Sequence, residues 1–399
     1  MPRVLRIINR FNLGGPTYNA SYLTKFLDPD YKTILIGGQK DKSEENSEFI
    51  VRNLGLVPYI VPEMRRQINP YYDQLAYNTI KNLIKEFRPD IVHTHASKAG
   101  AIGRRAAYNM KVPVIVHTFH GHVFDAYFSG VKSAIYQHLE RNLAKKTTKI
   151  IALSESQKND LVNKYKICPD EKVEIIQLGF DLYRFHENRE LKRKQFRTDY
   201  LIDDNEIAIG IVGRLVPIKN HTLFLETIKY LKENTHKNIR AFIVGDGEEK
   251  SKLMDKCRQL ELDFVDTTIE NRKALISFTS WMKNVDYVNA GMDIIALTSL
   301  NEGTPVSLIE AQASGTPIVT TNVGGIENIV LQGKTALLSE SNHIEEFGKN
   351  LLLLTEDDDL RKQFSEKGWV YVKEKFHYTR LVHDMKNLYN KLLNERNTI

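Results

Sequence analysis

Two carboxylates, Glu302 and Glu310, stand eight residues apart in the stretch 293–325, DIIALTSLNEGTPVSLIEAQASGTPIVTTNVGG. Carboxylates are strong acceptors for sugar hydroxyls, because charge-assisted hydrogen bonds outweigh neutral ones. A second pair, Arg214 and Lys219, follows the run GIVG and lies five residues apart. Two fixed cations at one turn can neutralise a diphosphate without a metal. Four histidines, His93, His95, His117 and His120, fall near the ends of two apolar runs. No carboxylate or cysteine spacing accompanies them, so a metal site is not expected. Each group also has an ordinary reading. Spaced glutamates and an Arg/Lys pair are usually solvated, and a lone histidine is usually structural.

The elements around them narrow the choice. Residues 293–297 form an apolar run of strand length. Thr304 is the expected N-cap, with Pro305 at the first helical position and Val306 after it. Val306, Leu308, Ile309 and Ala313 give that helix an apolar side, and Gly315 with Pro317 stops it. Glu310 would lie about one and a half turns in, roughly 8 Å along the axis. A helix start behind a glycine-containing loop, here Glu302-Gly303, attracts phosphate through free N–H groups and the macrodipole.

The same strand, glycine loop and helix pattern runs along the whole chain. An apolar run at 4–8 leads to Gly14-Gly15 and a helix over 17–27. Further strands are expected at 31–37, 57–61, 91–93, 112–119, 149–153 and 173–176. The second half restarts with a strand at 207–212, the loop Gly213 to Asn220, and a helix from His221. The charged run 187–197 marks the boundary between the halves. Such alternation predicts an α/β chain of two Rossmann-like, doubly wound domains, with ligands at the carboxyl ends of the strands.

EGTP at a strand mouth, a capped helix and GTPIV followed by GG resemble the nucleotide-sugar site of the retaining glycosyltransferases of family 4. Those enzymes have the GT-B fold, two such domains facing across a cleft. The resemblance implies that Glu302 and the amides of Gly303, Thr304, Pro305 and Val306 hold the donor sugar and phosphates. It implies that Glu310 holds the ribose. Arg214 and Lys219 match the diphosphate clamp, beside Gly213, and Gly14 and Gly15 match the early glycine loop. TFHG resembles the family's first-domain histidine, which makes His120, rather than His122, a ligand of the donor sugar. Asn220 stands where the family usually has glycine, and asparagine also tolerates positive φ.

The implied domains are 1–180 on the acceptor side, 181–375 for the nucleotide sugar, and 376–399 as a last helix returning to the first domain. The implied activity is retaining transfer of a hexose from a nucleoside-diphosphate sugar, with uridine the expected nucleoside. The acceptor would be a hydroxyl of a lipid-linked or polysaccharide chain, and no cofactor is required beyond the donor itself. Two alternatives are a sugar-nucleotide epimerase of the same fold and a nucleic-acid-binding protein. EGTP with the cationic clamp fits transfer better than epimerisation. No interleaving of aromatics with arginines supports nucleic acid as a partner.

Totals set the remaining expectations. No apolar run approaches a membrane span, and Arg6, Asn9 and Arg10 interrupt any signal-peptide core at the start. Two distant cysteines, Cys168 and Cys257, suit a cytoplasmic protein without disulfides. Residues 1–180 hold 26 Lys and Arg against 17 Asp and Glu, a net of +9, whereas the whole chain is +6. A basic first half points to an anionic partner, and a peripheral contact with the inner membrane face is expected. Arg65, Arg66 and the aromatic loop 124–130 are candidate contributors to that surface or to the acceptor site.

Overall fold

A computed structural model describes residues 1–11, 15–39, 48–65, 67–120 and 131–397. Gly14, Arg66, His122 and the stretch 124–130 lie outside the described residues. Contacts divide the chain into two units, Met1–Phe180 with Phe376–Ile399, and Asp181–Lys375.

The first unit is built on seven strands: β1 (Arg3–Arg10), β2 (Lys32–Gly38), β3 (Tyr59–Ile60), β4 (Ile91–His95), β5 (Val114–Thr118), β6 (Lys149–Ala152) and β7 (Val173–Ile175). They lie parallel in the order β3-β2-β1-β4-β5-β6-β7. Both faces are covered, which is why the strands read as continuous apolar runs rather than alternating ones. Leu5, Ile7, Val92 and Ile115 face one way, into a core with Ala76, Ile80 and Ile84 of the helix Pro70–Phe87. Val4, Ile91, Val114 and Val116 face the other way.

That second face is closed by the last helix, Tyr378–Asn397. Its Leu381, Met385, Leu388 and Leu392 recur every three or four residues and form one buried stripe. The chain re-enters this unit through a bridge. Phe180 N donates to Phe376 O (2.8 Å), and Tyr378 N donates to Phe180 O (3.0 Å).

The second unit repeats the plan with β8 (Glu206–Val212), β9 (Asn238–Val244), β10 (Phe264–Asp266), β11 (Ile276–Ser280), β12 (Ile294–Leu297), β13 (Ile318–Thr321) and β14 (Ala336–Ser339). The order is β10-β11-β9-β8-β12-β13-β14, again parallel. The two sheets with flanking helices make the chain α/β, as expected.

Three local expectations need correction. The charged run read as a boundary is the helix Arg189–Asp199, which buries Phe196 and Arg197. Its five-charge surface hides a single apolar anchor, and the backbone break falls earlier, at Phe180. The edge strand β10 has only three residues and left no periodicity to read. Thr304 does not cap the helix. That helix is Val306–Ala313, and its N-cap is Pro305 in an extended conformation (φ −70°, ψ 103°) with no side-chain cap. The extended Pro305 moves the helix start one residue beyond the reach of the Thr304 hydroxyl.

Candidate active site

In the second unit, β8 and β12 are neighbours although distant in sequence, and later strands add outward on either side. Ligands of open parallel sheets collect at the carboxyl ends of strands at such a switch point. Gly213 and Arg214 follow β8 directly, and Ser299 to Glu302 follow the end of β12. The two loops are stitched together. Leu300 N donates to Ile218 O (2.8 Å), and the Thr298 hydroxyl donates to Lys219 O (3.0 Å).

Neighbouring loops press on both from behind. Gly245 (φ 146°) lies so close that a Cβ there would sit 1.9 Å from Gly213 O. Gly324 (φ 57°) stands in the same relation to Glu302 O, and Gly325 N donates to that oxygen (3.0 Å). Only glycine satisfies both the close approach and the backbone angle. Gly303, by contrast, faces open space.

This packing brings Lys219 and Glu302 together. Lys219 Nζ donates to Glu302 Oε1 at 2.5 Å, and the Ser299 hydroxyl donates to the same oxygen at 2.6 Å. Lys219 ends a short 3₁₀ turn, Pro217–Lys219, and Asn220 then takes the left-handed conformation (φ 49°, ψ 49°). The turn seen in glycine-containing relatives of this motif is therefore open to asparagine here. Arg214 is exposed, and its side chain has no hydrogen-bond or ion-pair partner among the described residues. One cation of the expected clamp is thus paired and the other is not.

The helix Val306–Ala313 starts beside this pair. Glu310 is its fifth residue, roughly 6 Å along the axis rather than 8 Å. Its side chain is largely buried, and burial pushes its pKa up to about 7, against a smaller opposing effect from Arg184. Arg184 Nη2 lies 3.9 Å from Glu310 Oε1, and Asp286 adds a like charge that raises the carboxyl further. Gly315 (φ 64°) ends the helix, with its N–H on Gln312 O and Thr316 N–H on Ala311 O, both 2.9 Å.

In the first unit, Gly15 opens the helix Gly15–Phe26. His93 and His95 project from one face of β4 and stack at 4.2 Å. His95 Nδ1 lies 3.0 Å from His120 Nε2. His93 is held between the Tyr389 hydroxyl (2.6 Å) and the Thr118 hydroxyl (2.8 Å). His117 points to the other face and meets the Thr94 hydroxyl (2.8 Å). Three of the four therefore share one side, where strand alternation had suggested scatter. No group of three or more His, Cys, Asp or Glu among the described residues is arranged as a metal site. Burial holds all four imidazoles well below their usual pKa, His120 at about 3, so they are neutral near pH 7. His95 Nε2 and His120 Nδ1 are buried with no partner among the described residues.

Sequence reasoning missed two side chains that structure brings to the candidate residues. Arg184 faces Glu310 across a helix contact that no spacing reveals. His95 supports His120 through a stack that needs the register of β4 against β5, His95 opposite Thr118. The signal for His95 was present in the His-Thr-His alternation of β4.

Comparison with known proteins matches both units. The family model Glycosyltransferase Family 4 matches residues 14–184, and the model Glycosyl transferases group 1 matches residues 192–369. The chain is 32% identical over 335 residues to the UDP-Gal:alpha-D-GlcNAc-diphosphoundecaprenol alpha-1,3-galactosyltransferase of Escherichia coli, covering 83% of each chain. It is 25% identical over 345 residues to the capsular polysaccharide biosynthesis glycosyltransferase CapM of Staphylococcus aureus, covering 85% of this chain and 86% of that one. Among solved structures, Anabaena HepE in complex with UDP superposes with a TM-score of 0.80 at 17% identity, covering 98% of this chain and 100% of that one. WaaG, a glycosyltransferase of lipopolysaccharide biosynthesis, gives 0.69 at 17% identity, covering 95% and 97%. These likenesses make the fold GT-B.

Proposed function

Because the chain belongs to the family 4 and group 1 glycosyltransferases, we propose that it moves a hexose from a UDP-sugar to a hydroxyl of a lipid-linked or polysaccharide acceptor, with retention at the anomeric carbon. The observation that carries this reading is the Lys219–Glu302 pair at the switch point, with Arg214 and the helix start of Val306 beside it. The uridine preference is supported by the UDP and UDP-glucose complexes of Anabaena HepE. The acceptor class is supported by the name of the E. coli relative, whose acceptor is a diphosphoundecaprenol-linked GlcNAc.

The difficult event in such a transfer is departure of the diphosphate while the sugar gains oxocarbenium character. Lys219 and Arg214 would neutralise the growing negative charge, together with the amides at the start of Val306–Ala313. These two cations serve in place of a metal ion in this proposal. Glu302 would accept from a hydroxyl of the sugar and fix its pose, as positioning catalysis. Glu310 would accept from the ribose hydroxyls, and Arg184 would keep it ionised while it does so. His120 would present a neutral ring nitrogen to the sugar, with Gly15 in the loop region that admits it. No protein nucleophile is assigned. The acceptor hydroxyl attacks on the face that the diphosphate leaves, and the departing phosphate oxygen takes its proton.

The test is a product analysis. The protein is incubated with UDP-galactose or UDP-glucose and a short-chain diphosphate-linked GlcNAc, and the glycoside is read by NMR. An α-linked product with stoichiometric UDP supports the proposal. A β-linked product would refute retention, and an epimerised UDP-sugar formed without acceptor would replace transfer by epimerisation.

A further inference from the structure

The first unit has a second concave site, at the opposite end of its sheet from His95 and His120. A cavity of about 490 Å³ lies between the helix Val131–Lys145 and the segment leading to β7. Arg141, Lys145, Lys166, Lys172 and His138 line it, and no Asp or Glu does. The cations that are engaged are engaged by neutral groups. Arg141 donates to Lys166 O (3.0 Å), Tyr165 O (2.7 Å) and Gln137 Oε1 (3.2 Å). Lys172 donates to Ala144 O (2.8 Å) and Thr147 O (2.9 Å). The ammonium groups of Lys145 and Lys166 have no partner among the described residues. Nearby Asp170 is committed to Lys158 (2.9 Å), and Glu171 is exposed away from the lining. The positive charge of the cavity is therefore uncompensated.

The same helix carries an apolar flank next to the cavity. Its inner face is fixed by Leu143, Ala144 and the buried pair Glu140–Arg104 (2.7 Å). On its outer face Ile135 and Leu139, one turn apart, remain 62% and 42% exposed. Successive residues turn by 100°, so this flank adjoins the row His138, Arg141, Asn142 and Lys145 that lines the cavity. A soluble phosphate would use the cations and leave two branched aliphatics in water. A bilayer interface would use both.

We propose that this face of the first unit docks on an anionic phospholipid surface, with a headgroup phosphate among Arg141, Lys145, Lys166 and Lys172 and with Ile135 and Leu139 entering the interface beside it. The helix connects the parallel strands β5 and β6, so it runs against them, and its amino end lies at the carboxyl edge that bears His120. Lying along the bilayer, it would hold that edge at the interface, where a lipid-linked acceptor is found. The docking stands independently of the transfer reaction proposed above.

Vesicle flotation tests it, with phosphatidylcholine alone and with equimolar phosphatidylcholine and phosphatidylglycerol. Native protein should bind the mixed vesicles, lose binding in high salt, and ignore the neutral ones. Lys145→Gln with Lys166→Gln should weaken binding about 30-fold, at a charge–surface attraction of about fivefold per cation. Ile135→Asn with Leu139→Asn should weaken it as well. All four positions are exposed, so melting temperatures and the shift produced by UDP should stay native, which separates this outcome from failure of the donor site. Native-like binding by either double variant, or equal binding to neutral vesicles, would overturn the docking. So would a melting shift by inorganic phosphate that depends on Lys145 and Lys166 while vesicle binding does not.

Discussion

Lys219 Nζ lies 2.5 Å from Glu302 Oε1, so the cation meant for a leaving diphosphate and the carboxylate meant for a sugar hydroxyl occupy each other. Both are largely shielded from solvent, with side-chain exposures of 22% and 10%. A donor must therefore exchange partners, taking Lys219 with its phosphates and Glu302 with its sugar. This pairing keeps two opposite charges in position for groups only a few ångströms apart on one ligand. It also means that removing either residue changes the other's surroundings.

Lys219→Met should therefore do two things. It should lower kcat by about 10²–10³, the usual cost of losing one charge-stabilising donor. It should also leave Glu302 without its cation. Lys219→Met with Glu302→Gln should consequently be less than additively impaired, by about 1–3 kcal/mol in a double-mutant cycle. Strict additivity in kcat/KM would show that the pair is not part of one site. Arg214→Ala, with no partner to strand, should depress turnover without altering the melting temperature.

Glu310 gives a pH signature. Burial raises its pKa to about 7 from an ordinary 4.5. Between those values the folded protein holds a proton that the unfolded chain has released, so folding stability declines as pH rises from 4.5 through 7. Glu310→Gln should remove that decline, and at pH 8 should stabilise the protein by roughly 1–3 kcal/mol. A ribose hydroxyl prefers the ionised carboxylate as acceptor, so donor affinity should rise over the pH range in which stability falls. Glu310→Gln should weaken the donor and flatten that dependence. Thermal shifts with and without UDP, from pH 5.5 to pH 8.5, measure both effects, and a flat native profile would exclude a buried, titrating Glu310.

Much of this was legible in the residues. Apolar runs ending in glycine turns marked most strands, and the fold class follows from their alternation with helices. What escaped was set by contacts rather than by pattern. Arg189–Asp199 looks like a solvated linker until Phe196 is seen in the core. Pro305 satisfies either N-cap or first-turn geometry, and only its ψ of 103° decides. The pairing of Lys219 with Glu302 spans 83 residues and depends on β8 lying beside β12, a neighbour relation that sequence order does not contain.

The buried histidines predict acid sensitivity of the first unit. His93, His95, His117 and His120 are all depressed, chiefly by burial. The unfolded chain gains their protons below about pH 6.5 and the folded chain does not. Stability is thus complete above that value and falls as pH drops below it, by up to about 1.4 kcal/mol per pH unit for each histidine. His95→Asn should reduce the slope of the urea midpoint between pH 6.5 and pH 5. If His95 also orients His120 through their 3.0 Å contact, the same variant should raise KM for donor more than it lowers kcat. A variant altered in pH slope alone would make His95 purely structural.

Arg104 and Glu140 provide the last prediction. Their ion pair, 2.7 Å long with side-chain exposures of 0% and 4%, joins the helix Ser97–Asn109 to Val131–Lys145. Arg104 Nε also donates to Gly100 O (2.9 Å), so the guanidinium is anchored to its own helix. Glu140→Ala leaves that guanidinium buried without a counter-charge, at a cost of about 3–5 kcal/mol. Arg104→Met together with Glu140→Leu removes both charges and fills their volume, so its cost should be within about 1.5 kcal/mol of native. Chemical unfolding of the three proteins decides the matter. Because the pair sets which face of Val131–Lys145 is turned inward, Glu140→Ala should also lose anionic-vesicle binding, whereas the doubly apolar variant should keep it.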